Sequence, residues 1–342
     1  MHESISRLNH EPYIEPLTVE KVLVAGNRGP CGGVKMALEA AEQVLEIVNG
    51  REPVFTNWDI VNNNPAMQDL EKRGLKNVKN NLNLIPEGSV VFWSAHGIPP
   101  DYRKIADEKN LLSIDVTCQL VNRVHTLVKK AQENGKHIIY IGKEGHPETT
   151  GVLGELWTDN YTFIQPDTEI STLELPEKTQ AVVYSQTTLA TDEIKSQYEK
   201  LKTRYPDLEI PKRWDICPAV DYRQEAAEDL LNSHKIDFLL VGGSLHSHNS
   251  KELAKKAKKK NIPNALIDDP RQIQREWFTK GVKTVGATSG ASEREEDFQL
   301  ILDWFRGNGI DPVIYLPQIR SENDKAFILP QKDIDKLKER YR

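Results

Sequence analysis

One arrangement recurs three times along the 342-residue chain and restricts what it can fold into: a short apolar run, then a cysteine, then an amphipathic helix. The first copy is Lys21-Val22-Leu23-Val24-Ala25, a glycine-rich loop from Gly26 to Gly33 that contains Cys31, and a helix. That helix carries Val34, Ala37, Leu38, Ala41, Val44, Leu45 and Val48 at spacings of three and four. The second is Leu111 to Val116, then Thr117-Cys118, then a helix with Leu120, Val121, Val124, Leu127 and Val128. The third is Asp215-Ile216-Cys217 leading into a helix with Ala226, Ala227, Leu230 and Leu231. Cys118 follows Cys31 by 87 residues and Cys217 follows Cys118 by 99, each close to the length of one small α/β unit. The economical expectation is an α/β fold of three pseudo-repeated units, 20–116, 117–214 and 215–312, each presenting one cysteine to a shared centre. A tail, 313–342, adds the run Val313-Ile314-Tyr315-Leu316 and a charged helix.

A second tier of strands repeats as well. Val90 to Trp93 precedes Ser94-Ala95-His96-Gly97, and His137 to Ile141 precedes Gly142 and Gly145-His146-Pro147-Glu148. Phe238 to Val241 precedes Gly242-Gly243-Ser244-Leu245-His246-Ser247-His248-Asn249. Later runs end at Ser185-Gln186-Thr187-Thr188 and at Ala287 to Ser292. Open α/β sheets bind ligands beyond the carboxyl ends of their strands, so these polar loops are the expected site.

The composition removes several classes of function. A formal charge of −6 argues against a general nucleic-acid binder. No apolar run reaches the length of about 18 residues that a membrane span requires. The segment Met1 to Val19 is polar, with Glu3, Glu11 and Glu15, and lacks the basic-then-apolar order of a signal peptide, so a cytoplasmic location is expected. Three cysteines are an odd and low number for a disulfide framework.

A single cysteine at a helix start is ordinarily a packed or mildly acidified thiol. Three at matched positions point to shared ligation. A structural zinc site uses four ligands, commonly paired within two to four residues, and the chain has no CxxC; a mononuclear Cys–His zinc site stays open. Three thiolates from separate units suit a 4Fe-4S cluster with one iron lacking a protein ligand. The loops supply Ser, Thr, Asn, Gln and His before helices, a setting that binds phosphates through free backbone N–H groups. Glu148, beside His146, is the carboxylate placed for proton delivery, although taken alone it also fits a helix-start acid favoured by the helix dipole. Taken alone, His96 fits a structural residue bonded to backbone, and Ser247 and Asn249 fit a turn and an N-cap. Gly26, Gly29, Gly32 and Gly33 do not form the dinucleotide order G-x-G-x-x-G, and the run Lys251 to Lys260 reads as a solvated helix face or a docking patch for an acidic electron carrier.

At these residues the chain resembles the 4-hydroxy-3-methylbut-2-enyl diphosphate reductase family, from about Val22 to about Pro317. The resemblance rests on Arg28-Gly29-Pro30-Cys31-Gly32-Gly33-Val34, Ser94-Ala95-His96-Gly97, Asp115-Val116-Thr117-Cys118 and Gly145-His146-Pro147-Glu148. Gln186-Thr187-Thr188, Asp215-Ile216-Cys217, Arg223-Gln224 and Gly290-Ala291-Ser292 complete it. It implies a three-lobed (trefoil) α/β fold around a central 4Fe-4S cluster held by Cys31, Cys118 and Cys217, one iron being open to substrate. It also implies the last step of the methylerythritol phosphate route to isoprenoids, in which two electrons and protons remove a hydroxyl group as water and give isopentenyl and dimethylallyl diphosphates. By this carry-over Glu148 delivers protons, with His146 beside it, and Thr187 positions the hydroxyl group. His96, His146, Ser247, Asn249 and Ser292 line the diphosphate and substrate pocket. The implied electron donor is a ferredoxin or flavodoxin.

Several positions depart from the family pattern. The usual Glu-Val-Val-His-Asn is here Asp59-Ile60-Val61-Asn62-Asn63, so Asn62 stands where a diphosphate-binding histidine is expected. Asn62 donates a hydrogen bond but adds no charge, and His248 is expected to restore a donor nearby. Gln119 follows the second cysteine in place of proline, and Pro218-Ala219-Val220-Asp221 follows the third where threonines are usual. These changes favour, as the alternative, a paralogue with the same cluster and another substrate. A non-catalytic iron–sulfur redox protein is a further alternative, and Glu148 with Thr187 argues against it.

Overall fold

The structure, a computed structural model, describes residues 15–176, 180–211, 216–322 and 330–342. The chain opens with β1 (Lys21–Val24), α1 (Gly32–Val48), β2 (Val54–Thr56), α2 (Asn64–Lys72), β3 (Leu75–Asn77), β4 (Val90–Trp93), α3 (Pro100–Glu108) and β5 (Leu112–Asp115). It continues through α4 (Gln119–Glu133), β6 (His137–Ile141), α5 (Pro147–Leu153), β7 (Tyr161–Ile164), β8 (Ala181–Ser185) and α6 (Thr191–Arg204). The last part is α7 (Pro218–Ser233), β9 (Phe238–Gly242), α8 (His248–Lys259), β10 (Asn264–Ile267), β11 (Thr284–Ser289), α9 (Glu295–Gly307), β12 (Val313–Tyr315) and α10 (Gln331–Arg340).

Among the described residues the strands form three sheets, ordered β3-β2-β4-β5, β7-β6-β8 and β10-β9-β11-β1-β12. Every pairing is parallel. Parallel strands need helical crossovers, which cover both faces and turn the central strands into unbroken apolar runs. Val90-Val91-Phe92-Trp93 shows the result: Val90 and Phe92 join the core beneath α1, while Val91 and Trp93 pack against Ile98 and Ala106 on the opposite face. Each such fully buried side chain contributes about 1.5–3 kcal/mol of transfer free energy. The expected α/β class and three-lobed build are thus present.

The lobes are related cyclically, and this changes one expected boundary. The strand that leads to each cysteine completes the sheet of the lobe before it. β5, leading to Cys118, lies beside β4, and β1, leading to Cys31, lies beside β11. Glu209, upstream of Cys217, bridges to Val182 in β8. The strand Lys21–Val24 therefore belongs to the third lobe rather than to the expected unit 20–116. The reason is register: Val22 and Val24 face a core of Leu240, Val285, Ala287 and Phe298, and have no apolar surface left for the first sheet. The tail is divided too, since β12 pairs with β1 and α10 sinks Ile334 and Leu337 into the first lobe beside α1. The strand-like reading of Asp215 and most of the polar segment Met1 to Val19 lie outside the described residues. Ile216 and Cys217 are a bend and an extended residue rather than the end of a strand.

Candidate active site

All three cysteines stand at helix starts. Cys31 is the N-cap of α1, Cys118 of α4 and Cys217 of α7, none using its side chain to cap. Each backbone N–H is pinned by a strand-end loop of the preceding lobe. Cys118 donates to the Ala95 carbonyl (3.0 Å), Cys217 to that of Thr187 (2.8 Å) and Cys31 to that of Ala291 (3.0 Å). Three equivalent hydrogen bonds thus close the ring of lobes and leave the three thiols free on the wall of one cavity.

That cavity holds about 740 Å³ of space free of protein atoms, its open mouth included. Its wall includes every site residue expected from the sequence: Cys31, Asn62, His96, Cys118, His146, Glu148, Thr187, Cys217, Ser247, His248, Asn249 and Ser292. The loops that carry all of them but Cys217 follow β1, β2, β4, β5, β6, β8, β9 and β11, so strand carboxyl ends from all three lobes build it.

On the second lobe, Glu148 is buried at 1% exposure in the first turn of α5. Its Oε1 accepts the Thr187 backbone N–H (2.6 Å) and its Oε2 accepts the Thr187 hydroxyl (3.2 Å). His146 caps α5, its Nδ1 accepting the Glu148 backbone N–H (3.2 Å), which places the ring proton on Nε2. His96 meets His146 edge-on, ring centres 5.7 Å apart. Its Nε2 faces the Asn62 amide Nδ2 at 3.3 Å and its Nδ1 the Ser94 hydroxyl at 3.2 Å. An amide nitrogen only donates, so Nε2 accepts and both His96 nitrogens are engaged within the protein.

The third lobe supplies the neighbouring part of the wall. Ser247 caps α8 by accepting the Ser250 N–H (3.4 Å), and the Ser292 hydroxyl bonds the Asn62 carbonyl (2.9 Å) and the Ser247 hydroxyl (3.4 Å). Both polar atoms of the Asn249 side chain, and His248 Nε2, are buried without a partner among the described residues. Buried groups of this kind are expensive unless a ligand satisfies them.

Burial keeps the histidines of the cavity and its Cys118 and Cys217 thiols uncharged, lowering the pKa of the first and raising that of the second. Burial pushes His96 down to about 4 and His248 to about 4, the second helped by nearby Lys143. His146 falls to about 3, through burial and then His96, His248 and Lys143. All three rings are neutral at pH 7. Burial pushes the Cys118 thiol up to about 12, with Cys31 the next cause. It raises Cys217 as well, where Cys31 and Cys118 both add to the effect. The thiols feel one another, yet among the described residues no three His, Cys, Asp or Glu side chains are grouped to hold a single metal ion. Buried thiols that resist ionising become thiolates when a cation supplies the opposing charge.

Two groups escape sequence reading. Lys143 looks like a solvated loop lysine until α8 brings His248 to it from another lobe. Glu293 reads as an acid at a helix start, but it is fully buried, bonds Asn63 Nδ2 through Oε2 (3.0 Å), and is pushed up to about 8 by burial, Asp297 and Asp268. Neither carries a local signal.

Three parallel α/β lobes closed in a ring, each placing one thiol on the wall of a shared cavity beside a buried carboxylate, define an α/β protein with one central polar site. A family model described as "LytB protein" matches residues 22–306, and the chain belongs to the LytB family. It is 35% identical over 315 residues to the 4-hydroxy-3-methylbut-2-enyl diphosphate reductase of Mannheimia succiniciproducens, covering 91% of this chain and 97% of that one. It is also 35% identical over 285 residues to the Nitrosomonas europaea protein of the same name, covering 83% and 86%. Among solved structures, the E-1-hydroxy-2-methyl-but-2-enyl-4-diphosphate reductase of Plasmodium falciparum superposes with a TM-score of 0.86 at 29% identity, covering 96% of this chain and 100% of that one. A second, described as the terminal enzyme of the non-mevalonate pathway, gives 0.61 at 27% identity, covering 84% and 100%.

Proposed function

We propose that this cavity is the active site of a 4-hydroxy-3-methylbut-2-enyl diphosphate reductase. The observation that carries the reading is the convergence, on one cavity, of three free thiols with the buried Glu148–Thr187 pair. The relatives supply the identity of the substrate.

Cys31, Cys118 and Cys217 are the residues that would hold the prosthetic group. Three thiols from separate lobes on the wall of one cavity suit a 4Fe-4S cluster. Bound there, the cluster supplies electrons one at a time and an iron that has no protein ligand. Overall, the allylic C–O bond breaks, two electrons and two protons are taken up, and the oxygen leaves as water. One proton goes to that oxygen and one to an allylic carbon, giving isopentenyl or dimethylallyl diphosphate.

The chain's own residues handle position and protons. Thr187, already bonded to Glu148 Oε2, orients a substrate hydroxyl group toward that carboxyl group. Glu148, excluded from water, passes the proton to the departing oxygen. His146 presents Nε2–H, and Ser247 and Asn249 present neutral donors, to the diphosphate, while Ser292, its proton given to the Asn62 carbonyl, lines the pocket beside them. The N-terminus of α8 adds backbone N–H groups beside them. Asn62 joins this set through its amide, while its bond to His96 holds that ring as a wall. Electrons come from a ferredoxin- or flavodoxin-type donor. No helix among the described residues is long and apolar enough to cross a membrane.

The test is anaerobic oxidation of reduced methyl viologen by the cluster-loaded protein when 4-hydroxy-3-methylbut-2-enyl diphosphate is added. Oxidation with formation of both five-carbon diphosphates is the expected result. An intact cluster with no turnover rejects this substrate and favours a paralogue, for which the exchange of histidine for Asn62 is the specific sign.

A further inference from the structure

The cavity wall described so far contains no charge that matches a diphosphate, because its three histidines are neutral. Behind one of them stands a cation. Lys143, on the loop after β6, places Nζ 2.8 Å from Nδ1 of His248, on the first turn of α8, 105 residues away and in another lobe. An ammonium group can only donate, so Nδ1 accepts and the ring proton is on Nε2. That Nε2–H is buried, has no partner among the described residues, and belongs to a ring that lines the cavity.

Neighbouring charges leave this cation available. Glu252 lies 3.8 Å from His248 Nδ1 but is bonded to Lys255 at 2.5 Å. Lys143 is half-buried, and its acidity is raised by desolvation and by Lys255 and Lys251, against the opposing pull of Glu252 and Glu193. A cation in this position gains from a nearby anion.

We propose that Lys143 and His248 act as one composite donor for the anionic end of the substrate. Lys143 is the positioning residue: it fixes the Nε2–H form of His248 and brings the positive charge that Asn62 does not. A proton donor backed by a cation approaches a charge-assisted hydrogen bond, which is about twice as strong as a neutral one. Catalysis is not assigned to Lys143, which reaches the cavity only through the ring. This inference rests on the diphosphate reading above.

The experiment measures binding of inorganic diphosphate to the anaerobic, cluster-loaded protein by calorimetry, for wild type, Lys143→Met, His248→Ala and the double variant. Iron content and visible absorbance of each variant report whether the site has assembled. Lys143→Met and His248→Ala are each expected to raise Kd about tenfold, and the double variant is expected to bind no more weakly than His248→Ala, because one interaction is being removed twice. With the organic substrate, kcat/KM of Lys143→Met falls through KM. Lys143→Arg, which keeps a charged donor, recovers most of the loss.

Additive effects, or a Lys143→Met Kd within twofold of wild type, overturn the composite donor while leaving the reductase reading intact. A wild-type protein that neither binds diphosphate nor reduces the substrate overturns both. A Lys143→Met protein that fails to take up iron assigns Lys143 a structural role and rejects the proposal.

Discussion

Glu148 illustrates how much a single side chain here depends on its surroundings. Its sequence context, His-Pro-Glu before a helix, fits a favourable helix-dipole contact as readily as catalysis. In the fold it is buried, accepts both the N–H and the hydroxyl of Thr187, and faces the three-thiol cavity. Glu148→Gln keeps the shape and removes the transferable proton. The expected outcome is a loss of about 10²–10⁴-fold in kcat with an unchanged cluster spectrum, measured by viologen oxidation. Full activity in this variant removes Glu148 from proton delivery.

The neutral histidines make a second prediction at the same scale. His146 binds a proton near 6.5 when unfolded and near 3 when folded. The unfolded state therefore holds more protons between those values. The stability this residue contributes is present above pH 6.5 and is lost as pH falls toward 3, at up to about 1.4 kcal/mol per pH unit. Urea unfolding of cluster-free protein, wild type against His146→Gln, isolates the effect from the carboxylates common to both. Parallel stability curves from pH 6.5 to 4 show that the ring is not held neutral.

At the scale of elements, the important contact is between a helix and a loop. Arg223 on α7 is 1% exposed, and its guanidinium group holds four partners: the carbonyls of Gly29 (2.8 Å), Arg28 (3.3 Å) and Ala219 (2.7 Å), and the Glu322 carboxylate (3.0 Å). Gly29 lies two residues before Cys31, and Ala219 lies two after Cys217. One side chain thus ties the Cys31 loop to the start of the helix that Cys217 caps. Arg223→Met leaves Glu322 without its partner and frees the Cys31 loop, so a loss of about 3–5 kcal/mol is expected together with a lower iron content after reconstitution. Normal iron loading in a destabilised variant would confine Arg223 to a stability role. Gly26 in the same loop admits no side chain, because a Cβ there would lie 1.9 Å from the Pro317 carbonyl oxygen. The glycine-rich segment is accounted for by this close passage of the tail, and no dinucleotide is needed to explain it.

Considered whole, the molecule is a ring whose order in space does not coincide with its order in sequence. Each lobe presents a strand-end loop that holds the cysteine of the next, and the third lobe is completed by β1 from the start of the chain. The tail then crosses from β12 in the third sheet to α10 on the first lobe, tying together the lobes that contribute Cys217 and Cys31. Leu337 is fully buried against that lobe's core, and Leu337→Ala is expected to cost about 2–5 kcal/mol. Thermal unfolding would show the loss. A cost below about 0.5 kcal/mol would mean that α10 rests on the surface without supporting it.

What the sequence determined by itself is what local periodicity encodes. Apolar runs, three-and-four spacings and polar loops after strands specified the α/β class, the starts of the three cysteine helices and the strand-end loops around the cavity, because each is written within a dozen neighbouring positions, while single wall residues such as Thr187 and Ser292 came from the family resemblance. Tertiary structure alone decided which lobe receives β1, where the tail lands, that Arg223 joins the Cys31 loop to α7, that Glu293 is buried beside Asn63, and that Lys143 meets His248. Those outcomes turn on which surfaces remain free once neighbouring units have packed. Partners 105 or 194 residues apart leave no periodic trace in the chain.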